Sequence, residues 1–592
     1  MEFQIPADHA HGPVSPGTDA DNDIARSTFF SVWPNQRELD IIFGDSIHKL
    51  CSLYPLIGTF GGSKMDCQQQ KPSSIEQVLQ SPRPKSNPAA YARSLLLLAV
   101  CLQGSDIGQN YAPSNLIFDH QDVISRAVTS AHKILGHEAD NETETSLEGI
   151  MCLILESMYH CFEGNLQKAW HTHRQAMLMA QLKGLHKQTD PITGHAKEYD
   201  YHHISHHLWF EMINIDSYYC MILGLPQGSG QSRYPLSLDS SKPITADPQT
   251  RLRQVHCMVA GRILDRHHLG PEGRAETMEM DKMLQNAAGW MPPRWWLDPT
   301  KSCYESKTFS GIEESGRIRD QLMHYHLLIQ LHWPYMLVQT AKHEFRYSCM
   351  SAMNASRELL ARFVALNMHR TTRYYCLGAS MLAIAASTAL CISYIKVGKD
   401  GEIGGLMDHI LHHRPADRGM MEVSLESIKQ LSLTRTHPSV VKMISVFRDI
   451  LSVEEEVARG TSYKTVYTGN HTHNFECYSR RDDERVQIYI PSLGSIDLVR
   501  QHGSQNTAIT SSPAMSNIAD SGRPSDNGTA PFPGATTNGN QHQDIMDLEV
   551  CLNDTILDFD QQFHDEWLVD DVDGSLLDYI DWGISSRSRS GI

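Results

Sequence analysis

A helical period of apolar residues runs through most of this 592-residue chain and limits the folds open to it. From Phe29 to about Val457, apolar residues recur at spacings of three and four, and the alternation typical of strands is almost absent. A single hydrophobic core stops growing at about 250–300 residues, so this stretch predicts more than one core. We predict an all-α fold, with one large multi-helix domain over residues 29–457 that packs as two lobes.

One uncharged segment of this domain is long enough to cross a bilayer. Leu377 to Ile395 are nineteen residues without a charge, and a spanning helix needs about twenty. The segment is rich in Ala and Ser, and its basic flank on the C-terminal side is limited to Lys396 and Lys399. A helix that is apolar on all sides is also typical of the centre of a large core. We therefore predict a buried central helix and no membrane contact.

The segments outside the helical domain differ from it in composition. Residues 1–28 are polar and contain Pro and Gly, which predicts a disordered N-terminus. Residues 458–501 are predicted to be an irregular extension, in which the alternation at 486–490 allows one short strand. Residues 502–543 are rich in Ser, Thr, Asn, Gly, Gln and Pro, which is typical of a disordered low-complexity linker.

The C-terminal tail, residues 544–592, combines acidic and large apolar side chains. Residues 544–582 hold thirteen Asp and Glu and no Lys or Arg, so they supply −13 of the net charge of −18. Mutual repulsion keeps such a segment expanded and its aromatic groups available, which is typical of amphipathic activation segments. The predicted anchors to a partner protein are Phe559, Phe563, Trp567, Leu577, Tyr579 and Trp582. A purely solubilising tail is the alternative, and the aromatic residues speak against it.

The thirteen cysteines do not predict a disulfide framework. Their number is odd, there is no CxxC pair, and the closest two are Cys152 and Cys161. Met1 is followed by Glu2 and Asp8, without the basic start and apolar run of a signal peptide. These features predict an intracellular protein in a reducing compartment.

Three blocks of sequence carry a recognisable pattern. In the first, Glu163-Gly164-Asn165-Leu166 leads to Ala169-Trp170, Ala176, Ala180-Gln181-Leu182 and Gly184-Leu185-His186. Its alanines repeat at helical spacing on one close-packed face, and Gly184 is placed to end the helix. The second runs from His206-His207-Leu208-Trp209-Phe210 through Asp216 to Leu223-Gly224-Leu225-Pro226. The third is Leu331-His332-Trp333-Pro334-Tyr335-Met336, in which we predict that the proline stops a helix.

Together these blocks resemble the fungal-specific transcription factor domain, the helical regulatory domain of fungal zinc-cluster transcription factors. The resemblance spans about residues 30–450. It implies a nuclear protein that regulates transcription. By the family's usage, this protein would be a pathway-specific activator of a secondary-metabolite gene cluster. The helical domain would regulate or dimerise and sense a small molecule in its core, while the tail would contact transcription coactivators. The partners implied are those coactivators, a second copy of the chain, or a DNA-binding partner protein.

The chain departs from the family ahead of this domain. The family usually carries there six cysteines that hold two zinc ions, followed by a basic stretch. Residues 1–50 contain no cysteine, and Cys51 and Cys67 are too far apart to form such a cluster. We predict no zinc cluster and no other cofactor in this chain. Either the protein reaches DNA indirectly through a partner, or an upstream exon carries the cluster. The net charge of −18 favours indirect contact.

Other residue patterns suggest sites but favour plainer roles. Two i,i+4 histidine pairs have a spacing that can bind a metal, yet no acid accompanies them as in HExxH, so we predict a surface or packing role for His202, His203, His206 and His207. Asp570-Asp571-Val572-Asp573 resembles an aspartate-rich magnesium motif but lies in the tail. A packed aromatic cap, or alternatively a ligand lid, is predicted for Trp290, Trp295 and Trp296.

Two other classes of function remain open. An all-α enzyme would need polar groups with perturbed pKa values that converge in a central cavity. A regulatory scaffold would neither bind DNA nor activate transcription. We predict no enzyme activity, and no catalytic, cofactor-binding or metal-binding residue in this chain.

Overall fold

The computed structural model describes residues 17–39, 82, 86–103, 120–136, 146–187, 196–229, 247–266, 271–297, 309–337, 342–368, 377–397, 404–434, 438–469 and 476–501. The described residues belong to one compact unit, in which we find no division into the two predicted lobes. The predicted linker (502–543) and tail (544–592) lie outside the described residues, as do the six predicted anchors.

The unit is built mainly of helices, so the predicted helical fold class is confirmed. In chain order the helices are α1 (Gly17–Phe30), α2 (Pro88–Leu102), α3 (His120–Gly136), α4 (Leu147–Phe162), α5 (Leu166–Leu182), α6 (Ala196–Leu223), α7 (Pro248–Leu264), α8 (Pro271–Ala288), α9 (Phe309–Leu337), α10 (Lys342–Met368), α11 (Leu377–Val397), α12 (Gly404–Thr434) and α13 (Pro438–Ala458). A 3₁₀ helix, Pro293–Trp296, follows α8. The apolar core of the described residues separates into four clusters.

Helix α11 is the centre of the largest cluster, as its uncharged sequence predicted. Residues Gly378–Lys396 are buried throughout, and α9, α10, α12 and α13 pack around them. Two hydroxyls of α11 bond within the helix: Thr388 Oγ1 donates to the Ile384 carbonyl (2.8 Å) and Ser393 Oγ to the Ala389 carbonyl (2.9 Å). The apolar length of this helix therefore serves the protein core.

Helix α1 corrects the prediction of disorder for residues 17–28, whereas residues 1–16 lie outside the described residues. It begins at Gly17 and places Ala25 and Phe29 in a cluster with α2, α3 and α4. The Phe29 ring lies 5.3 Å from the ring of Tyr91 in α2. The spacing of Ala25 and Phe29 is one helical turn, a short apolar stripe that the polar composition of the segment concealed.

A four-stranded antiparallel sheet corrects the prediction of an irregular extension over residues 458–501. Its strands are β1 (Ser462–Gly469), β2 (Tyr478–Arg481), β3 (Arg485–Ile490) and β4 (Gly494–Gln501), in the order β1-β4-β3-β2. The register pairs Val486 with Leu498 and Ile488 with Ile496. These four side chains are buried in the largest cluster. β3 contains the alternation at 486–490 that indicates a strand from sequence.

Glu456 fastens the sheet to α13. Its carboxylate accepts hydrogen bonds from Tyr463 of β1, Arg481 of β2 and Arg500 of β4. One acidic side chain of α13 thus bonds to three strands of the sheet.

Pro334 corrects the prediction that a helix stops there, because α9 continues to Leu337. A proline inside a helix removes the N–H that would bond the carbonyl four residues earlier, here that of Gln330. Arg266 supplies the missing donors: its guanidinium donates to the carbonyls of Gln330 (3.4 Å) and Leu331 (3.1 Å). The helix continues because a side chain from α7's end replaces the lost backbone donor.

Candidate functional site

Glycines set the ends of α4 and α5. After α5, Gly184 has φ +82°, its N–H bonds the Gln181 carbonyl (2.9 Å), and the Leu185 N–H bonds the Ala180 carbonyl (3.0 Å). This pair of bonds is a Schellman motif, so Gly184 ends the helix as predicted. Gly164 (φ +85°) ends α4 in the same way, and α5 begins at Leu166. The sharp turn between them brings α5 back against α4.

A buried ion pair joins α5 to α6 and to the loop that follows α6. Arg174 Nε lies 2.9 Å from Asp216 Oδ1, and the other oxygen of Asp216 accepts from the Gly228 N–H (2.8 Å). Arg174 also donates to the Pro226 carbonyl, and its Cζ lies 5.1 Å from the Trp170 ring centre. We call Arg174, Asp216 and Gly228 the clamp. A Cβ at Gly228 would lie 2.8 Å from Arg174 Cζ, so only glycine fits there without a shift.

Beside the clamp, a cavity of about 190 Å³ lies where α4, α6, α7, α9, α10 and α11 converge. Most of its wall is apolar, and includes Met158, Phe162, Leu322, Leu366 and Leu382. These five residues come from four helices, so the cavity exists only once the helices have assembled.

Three charged residues of the cavity wall contact one another. Arg253 of α7 donates to Glu211 Oε1 of α6 (2.8 Å), and its Nε lies 3.9 Å from Asp320 Oδ2 of α9. We call Glu211, Arg253 and Asp320 the polar cluster. Burial acts to raise the pKa of Glu211, but the nearby Arg253 outweighs it, and the pKa lies below its ordinary value. Glu211 and Arg253 are therefore a charged pair at neutral pH.

The remaining ionisable groups of this wall on α7 are held uncharged. Burial, with His324 and Arg253 nearby, holds the pKa of His256 well below its ordinary value. Its Nε2 lies 3.2 Å from Nδ1 of His324. Burial raises the pKa of the Cys257 thiol to about 12. An imidazole this hard to protonate is a weak base, and a thiol this hard to ionise is a poor nucleophile.

The predicted aromatic cap packs beside these histidines. The rings of Trp295 and Trp296 meet at 4.7 Å, and Trp296 lies 4.9 Å from His324. The guanidinium of Arg251 lies 4.0 Å from the Trp290 ring centre. The three tryptophans thus pack against α7 and α9 of the third cluster.

The histidine pairs of α6 lie at its N-terminal end, and of the four only His207 has a described side chain. Within the described part of the chain, no group of three or more His, Cys, Asp or Glu side chains could hold a metal ion. The eight described cysteines form no disulfide with one another.

Sequence analysis did not select the residues that build the clamp and the polar cluster, except Asp216. Glu211 carries a usable signal, because a charge between Phe210 and Met212 in an apolar run has to find a partner when buried. Arg253 and Asp320 lie on helices that carry several charges each, and nothing in their spacing indicates that they meet.

The range that contains the clamp also matches a known family. Residues 67–241 match the fungal specific transcription factor domain, a range that includes α2 to α6, Arg174 and Asp216. The chain contains a fungal specific transcription factor domain. The resemblance seen in the first two sequence blocks is thereby confirmed.

Curated proteins that are similar to this chain are fungal regulators. It is 28% identical over 492 residues to a dehydrocurvularin biosynthesis regulator of Aspergillus terreus, covering 80% of this chain and 64% of that protein. It is 25% identical over 500 residues to the transcription factor sdnS of Sordaria araneosa, covering 83% and 61%. It is 26% identical over 490 residues to the probable transcription factor gsfR1 of Penicillium aethiopicum, covering 79% and 65%. The matched part is thus less than two thirds of each relative's length.

Proposed function

We propose that this chain is a transcriptional regulator in a fungal nucleus that controls a secondary-metabolite biosynthesis gene cluster. The match of residues 67–241 to the transcription factor domain carries the proposal. The relative that is named as a biosynthesis regulator supports the finer step, because it aligns with 80% of this chain. The helical domain serves regulation or pairs with a second copy of the chain, and DNA is reached through a DNA-binding partner protein.

The acidic tail is the effector of this proposal. Its anchors Phe559, Phe563, Trp567, Leu577, Tyr579 and Trp582 would enter an apolar groove of a coactivator. Each buried anchor contributes about 1.5–3 kcal/mol, and ordering the segment costs roughly 2–5 kcal/mol. Two or three anchors therefore give weak, reversible binding, which suits recruitment.

The role is tested by deleting the gene in the fungus that encodes it and measuring transcripts genome-wide. We expect the transcripts of one biosynthetic gene cluster to fall several-fold, and reintroduction of the full chain to restore them. A chain with Trp567→Ala and Trp582→Ala should restore them poorly. A matched chain with Gln561→Ala and His564→Ala, which removes two polar side chains of the same segment, should restore them fully.

Two results would count against the proposal. Unchanged cluster transcripts in the deletion strain would remove the regulatory role. Full restoration by the double tryptophan variant would leave regulation in place but remove the tail as its effector, which favours the scaffold alternative.

We infer further that the chain is not an enzyme, as the family and the relatives are transcription factors. The cavity groups support this inference. Arg253 pairs with Glu211, Cys257 has a pKa of about 12, and the pKa of His256 is far below its ordinary value. An enzyme would need polar groups that converge in the cavity, and such groups are present. Arg253, Cys257 and His256, however, lack the pKa of a general base or a nucleophile.

A further inference from the structure

The charges of the cavity wall are already balanced. Glu211 is paired with Arg253, while Asp320 Oδ2 accepts a hydrogen bond from Gln249 (2.6 Å) and Oδ1 lies 3.8 Å from Arg319 Nε. An anion bound here would lie beside two carboxylates, and a cation would lie beside two guanidinium groups. Burying an unpaired charge is costly, so the wall selects against charged molecules.

Two N–H donors belong to side chains of this wall and make no hydrogen bond. They are Asn214 Nδ2 and Arg253 Nε, both buried. The amide orientation of Asn214 is set at its other end, where Oδ1 accepts from Cys257 Sγ (2.9 Å). An unpaired buried donor is unfavourable, and a hydrogen-bond acceptor on a bound molecule relieves that cost.

The volume and the wall limit the size of the molecule. An apolar cavity of about 150 Å³ holds benzene, so about 190 Å³ suits on the order of ten non-hydrogen atoms. The wall reaches the protein surface at Arg319, whose side chain is 45% exposed.

We propose that this cavity binds a small, uncharged, mainly apolar molecule that carries a carbonyl oxygen. The apolar residues of α4, α9, α10 and α11 enclose its body, and the amide of Asn214, with Arg253 beside it, recognises its oxygen. The inference concerns binding by the chain itself and holds whether or not the transcriptional role proves correct.

Three probes of equal heavy-atom count test this proposal on the purified full chain: acetophenone, α-methylstyrene, which replaces the carbonyl by C=CH2, and benzoate. Affinities are measured by calorimetric titration and ligand-detected NMR. We expect acetophenone to bind saturably and about fivefold to tenfold more tightly than α-methylstyrene, which corresponds to one hydrogen bond. Benzoate should not bind. Equal affinity of the first two probes, tighter binding of benzoate, or no saturable binding would each overturn the proposal.

Variants locate the site. Asn214→Leu should reduce the preference for acetophenone to about twofold or less, whereas Asn354→Leu on the exposed face of α10 should leave it unchanged. Leu382→Trp fills the cavity and should abolish binding of both probes. If circular dichroism shows that this variant is unfolded, Ala379→Leu makes a smaller intrusion from the same helix. Undiminished binding in a folded cavity-filled variant would mean that the probes bind elsewhere, contrary to the proposal.

Discussion

Single charged residues decide how the helices of this domain are joined. Asp216 is almost fully buried, yet both of its oxygens are used, one by Arg174 and one by the Gly228 N–H. Glu211 and Arg253 are likewise paired across two helices. Removing one partner of such a pair leaves the other buried and unsatisfied, which costs more than the pair itself contributes.

Asp216→Asn tests the clamp, because it removes the charge and keeps the shape. We expect the free energy of unfolding to fall by about 2–3 kcal/mol, measured by urea denaturation of the full chain. The control is Asp122→Asn, which breaks an i,i+4 ion pair with Arg126. The side chain of Asp122 is more than half exposed. That change should cost at most about 0.5 kcal/mol. Equal costs for both variants would contradict the assigned role of the clamp.

A second residue-scale prediction concerns pH. Glu156 Oε1 lies 3.0 Å from His132 Nε2. Burial by itself raises the pKa of Glu156, but the hydrogen bond from His132 and the nearby His160 outweigh it and bring the pKa to about 2. The hydrogen bond to Glu156 raises the pKa of His132. The Glu156 contribution to stability is present above pH 4.5, the ordinary pKa, and is lost as pH falls toward about 2. The His132 contribution is present below pH 6.5 and is lost as pH rises through its folded pKa.

The pair should therefore stabilise the fold most between about pH 4.5 and 6.5. We expect His132→Gln to lower the urea midpoint most in this window and progressively less toward pH 8. His412→Gln, at an exposed position of α12, provides the control and should show no such profile. A His132→Gln effect that is constant from pH 5 to pH 8 would show that the ion pair contributes nothing.

At the scale of elements, helix existence follows from sequence far better than helix ends and strand pairing. The uncharged sequence of α11 predicts its burial, and Gly184 marks the end of α5. Pro334 fails as an end signal because Arg266, distant in the chain, bonds the freed carbonyl. Strand β1 pairs with β4, and the register begins with Ser462 opposite Gln501. Two other strands, β2 and β3, lie between these partners in the sequence.

Two helical glycines give opposite predictions at this scale. A Cβ on Gly378 of α11 would lie 2.9 Å from Tyr218 Cζ and 3.0 Å from Ile222 Cδ1. Gly378→Ala should therefore destabilise the protein by about 1–3 kcal/mol through overpacking. Gly419 of α12 has nothing within 4 Å of the same position, so Gly419→Ala should stabilise it by about 0.5–1 kcal/mol. Thermal and urea unfolding measure both, and the same sign for the two variants would contradict this account of α11 packing.

At the scale of the whole molecule, the acidic tail and the rest of the chain differ strongly in net charge. The tail segment 544–582 supplies −13 of the net charge of −18, so the remainder carries only −5. A weakly charged body lacks the strong mutual repulsion that would oppose packing the thirteen described helices together. The same balance gives no broad attraction for phosphate groups.

The purified 592-residue chain is therefore expected not to bind duplex DNA tightly at about 0.15 M salt. Fluorescence anisotropy with duplexes from the promoters of the regulated cluster measures this directly. Removing residues 544–582 serves as a control for repulsion by the tail, and binding should remain weak without it. Sequence-specific nanomolar binding by either form would contradict the proposal that DNA is reached through a partner.

The sequence by itself determined the helical class, the buried α11, the tight alanine face of α5 and the family, because each depends on local periodicity or on a contiguous motif. The tertiary structure alone decided that residues after α13 form a sheet, that α9 passes through Pro334, and that Arg174, Glu211, Arg253 and Asp320 find their partners. Those features depend on residues that are distant in the chain and meet only when the helices pack. Residue spacing in the sequence cannot predict such contacts, since the interactions that stabilise them form only in the assembled core.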